Sequence, residues 1–355
     1  LNATLDLSEL NHRIGQIFMI GMPGTDLDKG TKNLIRDFNI GGIILFSRNI
    51  SNPVQLARLC QDIKDASYKY HGNKIFIALD QEGGKVARLK DPFTVFPGNE
   101  TIGMDNASID KAVEFGTVTA REMNLVGLNM NLAPVMDVRD GKIDKHLEGR
   151  LFSDDPESVS MMGVSIIKSL QQNGIMSVAK HFPGLGKAKF DPHHDQVKIE
   201  SELINIEKKD LPPFIEAINQ NVSAIMTSHA FYTALDPEYP ATLSRKILID
   251  LLRKSLNFKG LIMTDDLEMG AITNTYGVCQ GALASFQAGA DILLICEDQE
   301  NVSESFKLIR NSVLEDGKSV ERLHESFGRV MAAKSRYLKS EKRVSYEEVK
   351  EYFNI

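Results

Sequence analysis

Gly174-Ile175-Met176-Ser177-Val178-Ala179-Lys180-His181-Phe182-Pro183-Gly184-Leu185-Gly186 is the stretch whose reading decides the fold. Its apolar part, 175–179, is too short and too uniformly apolar for an amphipathic helix and reads as a buried strand. Lys180 and His181 leave that strand for a loop constrained by Pro183, Gly184 and Gly186, which puts two cationic or proton-transferring groups at a strand's carboxyl end. Shortly after, Asp191-Pro192-His193 sets a carboxylate close enough to an imidazole to orient it. This is an acid/base device in need of a nucleophile.

Outward from that strand the same pattern recurs. Short apolar runs at 16–21, 42–46, 74–79, 129–133, 175–179, 224–227, 260–264 and 291–295 read as strands. Longer amphipathic runs at 28–37, 53–70, 109–126, 156–172, 211–219, 244–255 and 278–288 read as helices, and a last helical pair lies near 302–312 and 319–337. Apolar strands alternating with helices predict a parallel sheet buried on both faces. Eight such units favour an α/β fold of the (β/α)8 TIM-barrel type over an open sheet.

Polar residues cluster where the strands end: Asp80 and Glu82, Asp137, Lys180 and His181, Ser228 and His229, Asp265 and Asp266, and Glu297. A closed barrel brings these positions to one mouth, whereas an open sheet would gather only those near its switch point. No Ser/Gly/Pro-rich linker divides the chain, so it reads as one domain over 1–355, with the charged tail 339–355 as a surface appendage and a helix near 347–353.

Composition narrows the partners. A net charge of -7 leaves no basic footprint for nucleic acid, and no apolar run is long enough to span a membrane. Cys60, Cys279 and Cys296 form no disulfide framework and no zinc spacing. The chain starts at Leu1, so the expected cytoplasmic location stands beside a removed leader and export.

Three further stretches carry chemistry. In Leu79-Asp80-Gln81-Glu82-Gly83-Gly84, a carboxylate at a strand end can accept hydroxyl protons from a polyol; the plainer reading is an acid-capped turn braced by Arg88. In Gly149-Arg150-Leu151-Phe152-Ser153-Asp154-Asp155-Pro156 an acid before Pro156 starts a helix, while Arg150 faces either the mouth or a surface partner. In Met263-Thr264-Asp265-Asp266-Leu267, Asp265 emerges beside Lys180 and Arg150, cations that would keep it ionised as a nucleophile toward an anomeric carbon. Asp266 reads as a capping or supporting acid. A metal reading of His181, Asp191, His193, His194 and Asp195 is weakened because neighbouring side chains in extended backbone point apart, and no metal or other cofactor is expected.

These motifs, with 41–46, 131–138 and 225–229, resemble glycoside hydrolase family 3 of the single-domain, NagZ-like β-N-acetylglucosaminidase type over nearly the whole chain. The resemblance implies a retaining mechanism with a covalent glycosyl-enzyme intermediate. It makes Asp265 the nucleophile, His193 the general acid/base and Asp191 its orienting partner. It assigns Asp80, Arg88, Arg150, Lys180, His181 and His229 to the sugar pocket. The chain departs from the family pattern at Leu185, where a His is usual, and at Pro192, where a Ser is usual; both bear on the motion of the loop.

The absence of Trp favours a pocket for one terminal sugar over a cleft for long polysaccharides. The expected activity is removal of terminal β-linked GlcNAc from cell-wall fragments or chitooligosaccharides. The alternatives are a β-glucosidase or a GlcNAc phosphorylase of the same family, or a silent sugar-binding protein.

Overall fold

Eight parallel strands close into a barrel in the computed structural model, which describes residues 6–106, 108–339 and 342–355. The domain span 1–355 and the tail span 339–355 read from the sequence therefore include positions (1–5, 107, 340 and 341) outside the described residues, as does the reading made at Leu1. In chain order the strands are β1 (Phe18–Ile20), β2 (Gly42–Leu45), β3 (Phe76–Leu79), β4 (Met130–Asn131), β5 (Met176–Phe182), β6 (Ala224–Thr227), β7 (Leu261–Asp266) and β8 (Ile292–Ile295). Each pairs with its neighbours in sequence, and β8 pairs with β1 to close the ring.

The period-2 alternation of a strand accounts for both the core and the mouth. Met19, Phe76, Ala78, Met176, Val178, Met226, Met263 and Leu294 fill the lumen as one cluster. A second, larger cluster packs the outward-facing residues, among them Ile43, Ile77, Ala179, Ile225, Ile262 and Leu293, against the helices. Continuing each lumen row by one step yields Phe76-Ala78-Asp80, Met176-Val178-Lys180, Ala224-Met226-Ser228, Leu261-Met263-Asp265 and Ile292-Leu294-Cys296. The apolar rows thus end in Asp80, Lys180, Ser228, Asp265 and Cys296, all of which line one cavity.

The helices begin where the sequence signals them. Asp28 caps Lys29–Phe38, Asn52 caps Pro53–His71, and Asp155 caps Pro156–Gln172 by accepting the Ser158 amide at 2.9 Å. The predicted helix at 244–255 is instead a wide, π-type helical segment, Lys246–Ser255. Val330 and Leu338 join the lumen cluster, so the long helix Gly317–Tyr337 covers the end of the barrel opposite the polar mouth. Beyond Lys339, helix Tyr346–Phe353 lays Val349 and Phe353 against the body, and the rings of Phe93 and Phe353 meet edge-on at 4.7 Å. Among the described residues no helix is long and apolar enough to cross a membrane.

Candidate active site

The floor of the mouth is a set of charges delivered by β3, β5 and the loop after β4. Lys180, only 2% exposed, places Nζ 2.8 Å from Asp80 Oδ1 and 2.7 Å from Glu82 Oε1. Arg88 meets the other Asp80 oxygen at 3.1 Å. Arg150 donates twice to Glu82, at 2.8 and 2.9 Å, in the planar fork geometry that makes guanidinium–carboxylate pairs specific. Burial alone would raise the Asp80 and Glu82 carboxyls. Lys180 and Arg88 outweigh it at Asp80, as Arg150 and Lys180 do at Glu82, and both acids are held below the usual carboxylate range. Two carboxylates against three cations leave the floor with a positive balance.

Asp265 faces that balance from β7. Burial works to raise its carboxyl, but the imidazoles of His181 and His229 and the Asp266 amide, which donates at 2.9 Å, hold it low and ionised. The next acid behaves oppositely. Burial, reinforced by Glu268 and Asp265, pushes Asp266 up to about 7. One of two adjacent carboxylates is thus kept charged while its neighbour holds a proton more readily.

The two histidines are fixed from behind. Asp137, fully buried, accepts from His181 Nδ1 at 2.7 Å and from the amides of His181 and Leu185 at 3.1 and 2.7 Å. The loop is therefore anchored through the Leu185 amide even though its side chain is apolar. His229 donates from Nε2 to the Asp266 carbonyl at 2.8 Å, and its Nδ1 lies 2.8 Å from Thr242 Oγ1. Both its ring nitrogens are taken up by the protein, so His229 lines the pocket mainly as a brace for the backbone at Asp266, next to Asp265.

Asp191 and His193 arrive on the loop after β5. Asp191 Oδ1 accepts the His193 amide at 2.9 Å and the ring Nδ1 at 2.6 Å, leaving Nε2 as the free nitrogen. The imidazole is 59% exposed, yet the loop is not adrift. The amides of Gly270 and Ala271 donate to the carbonyls of His193 and Pro192, both at 3.0 Å, and Lys187 binds Asp210 at 2.7 Å. A Cβ on Gly270 would stand 2.4 Å from the His194 carbonyl oxygen, so only glycine permits this approach.

Asp80, Arg88, Arg150, Lys180, His181, His193, His229 and Asp265 line one cavity, with Asp191 bonded to His193 behind it. Glu297 lies apart, paired with Arg48 at 2.6 Å. The cavity wall also holds Phe46, His146 and Cys296, which sequence reading did not single out as site residues. Strand parity points to Cys296, and the spacing of Asp144-Lys145-His146 repeats that of Asp191-Pro192-His193. Of the residues considered as metal ligands, Asp191 alone belongs to the grouping found. Among the described residues, the group of three acids and histidines whose ligating atoms all lie within 4.8 Å of one another is Asp144, His146 and Asp191.

A positively balanced floor, a fixed ionised carboxylate and an aspartate-held imidazole around one concave pocket suit displacement at a sugar's anomeric carbon. Relatives agree. Over 291 residues the chain is 35% identical to a beta-hexosaminidase of Nitrosomonas eutropha, an alignment spanning 81% of this chain and 82% of that protein. A glycoside hydrolase family 3 beta-N-acetylglucosaminidase from Paenibacillus sp. strain FPU-7 superposes with a TM-score of 0.89 at 31% identity, over 97% of this chain and 68% of that one. NagZ from Neisseria gonorrhoeae in complex with N-trifluoroacetyl-D-glucosamine superposes with a TM-score of 0.79 at 29% identity, over 96% and 94% of the two chains. The chain belongs to glycosyl hydrolase family 3, whose N-terminal domain it matches over residues 9–333.

Proposed function

We propose that this chain is a retaining, exo-acting β-N-acetylglucosaminidase that releases terminal β-linked GlcNAc from cell-wall fragments or chitooligosaccharides. The observation that carries the reading is the meeting of Asp265 and the Asp191–His193 pair at one pocket whose floor is Asp80, Lys180, Glu82 and Arg150. The beta-hexosaminidase relative and the N-trifluoroacetyl-D-glucosamine complex support the sugar assignment.

Asp80, braced by Lys180 and Arg88, accepts hydrogen bonds from sugar hydroxyls and fixes the ring. An Asp265 oxygen attacks the anomeric carbon as the bond to the leaving oxygen breaks, and protonated His193 gives its Nε2 proton to that oxygen. Asp191 stabilises the imidazolium beforehand. Water then attacks the glycosyl–Asp265 ester, His193 Nε2 takes its proton, and the carboxylate is released. Two inversions give net retention. Phe46 is the aromatic side chain in the cavity wall, with the Arg48 and Arg88 guanidinium groups 4.6 and 5.6 Å from its ring centre.

The test is hydrolysis of paired p-nitrophenyl β-N-acetylglucosaminide and β-glucoside by wild type and Asp265→Asn. The expected result is turnover of the acetamido sugar alone, abolished in the variant. Equal turnover of both sugars would point to a β-glucosidase, and turnover of neither by folded protein to a binding role.

A further inference from the structure

The pocket holds a second copy of the turn that carries the acid/base pair. Asp144 Oδ1 accepts the His146 amide at 3.0 Å and its ring Nδ1 at 2.9 Å, the same two bonds that Asp191 makes to His193. The exposures differ sharply: the His146 side chain is 9% exposed against 59% for His193. His146 Nε2 is buried and has no hydrogen-bond partner among the described residues. A polar atom in that state, on a residue that lines the cavity beside the reactive pair, is available to a hydrogen-bonding group brought up to it.

The two turns are brought together by backbone. The Asp144 amide donates to the Ala188 carbonyl at 3.2 Å and the Asp140 amide to Gly186 at 3.1 Å, joining the loop after β4 to the loop after β5. Arg150 Nη1 donates to the His146 carbonyl at 3.2 Å, tying this turn to the charged floor. The Asp191 carboxylate therefore has two imidazoles near it, one exposed and bonded to it, the other half-buried in the cavity wall and within 4.8 Å by ligating atoms.

We propose that His146 is a positioning residue for the acid/base pair, its imidazole standing beside the Asp191 carboxylate to receive it through Nε2 when the loop presents His193 to the glycosidic oxygen. Asp144 fixes the His146 ring, and Arg150 fixes its backbone. The exposed pair is thus backed by a half-buried one, and a loop that must admit substrate still returns its imidazole to one place. This inference rests on the glycosidase reading.

The experiment compares wild type with His146→Phe, His146→Gln and Asp144→Asn on two β-N-acetylglucosaminides. The dinitrophenyl glycoside leaves without protonation, and the phenyl glycoside needs it. For His146→Phe the expected kcat/KM loss is about tenfold on the phenyl glycoside and under about twofold on the dinitrophenyl glycoside. That is a fraction of the roughly 10²–10⁴ that direct acid/base catalysis contributes. His146→Gln, which keeps a polar group in the same volume, should recover part of the loss, and Asp144→Asn should show the same bias more weakly. Equal losses on both substrates, or none on either, in variants that melt with wild type would overturn the proposal while leaving the glycosidase reading intact. Failure of wild type to turn over either glycoside would overturn both.

Discussion

Asp80 and Asp291 are both carboxylates set among cations, and they sit at opposite ends of the barrel. Asp80 follows β3 at the open mouth, pairs with Lys180 and Arg88, and keeps part of its surface toward the cavity. Asp291 precedes β8 at the closed end and is wholly buried. It binds Arg253, Arg322 at 2.7 Å and Arg329 at 3.1 Å, and it accepts the Ile262 amide at 3.0 Å. Burial opposes ionisation at both, and neighbouring cations reverse it at both. A perturbed acid therefore does not by itself mark a site. What separates the two is a cavity beside Asp80 and helix Gly317–Tyr337 over Asp291. The mouth turns its charges toward a cavity, and the base uses them to lock helices to strands.

If that contrast is right, the two ends should separate activity from stability. The largest effect belongs to Asp265→Asn: kcat on the acetamido substrate should fall on the order of 10⁴-fold or more, with the melting temperature unchanged, as activity assays beside thermal melts will report. Loss of fold in that variant would erase the distinction between the ends.

Asp291→Asn should do the reverse. Removing the acid takes the buried carboxylate from three guanidinium groups, of which Arg322 and Arg329 keep only the exposed carboxylate of Glu325, a loss of about 3–5 kcal/mol by denaturant titration, while folded protein keeps wild-type KM. Its folded-state carboxyl lies below the ordinary value, so the stability it contributes is present above the unfolded pKa. That contribution is lost as pH falls through about 4 and below. The gap between wild type and variant should narrow in acid; a gap that widens would contradict the ion-pair account.

Gly270→Ala sharpens the comparison within the mouth itself. The added methyl must displace the His194 carbonyl and with it the loop of His193. A misplacement of that order costs up to about 10²-fold in kcat, with a smaller change in KM because the floor is untouched. A change in KM alone would place the loop in binding and not in chemistry.

Much of this layout is legible in the sequence because strand parity is a local rule. The rows ending in Asp80, Lys180 and Asp265 follow from alternation and from the apolar residues two and four positions before them. The loop pair is legible because Asp191 and His193 stand two residues apart and need no long-range contact to meet. Pairings set by tertiary approach are not. Arg150 reaches Glu82 across 68 residues, and nothing local distinguishes that partner from a surface acid. His229 follows its strand as a ligand-facing residue would, yet Thr242 and the Asp266 carbonyl occupy its ring. His146 was hidden for the same reason, since only the contact between two loops brings it to Asp191; its repeated Asp-x-His spacing was the available clue.

The central claim is that Asp265 forms a bond to the sugar. Incubating wild type with an activated fluorinated β-GlcNAc donor, whose intermediate hydrolyses slowly, and measuring the intact mass tests it directly. The account predicts a gain of one glycosyl group per chain, mapped by peptide digestion to Asp265 and absent from Asp265→Asn. Steady release of the leaving group with no mass gain, or a sugar mapped to another residue, would contradict it.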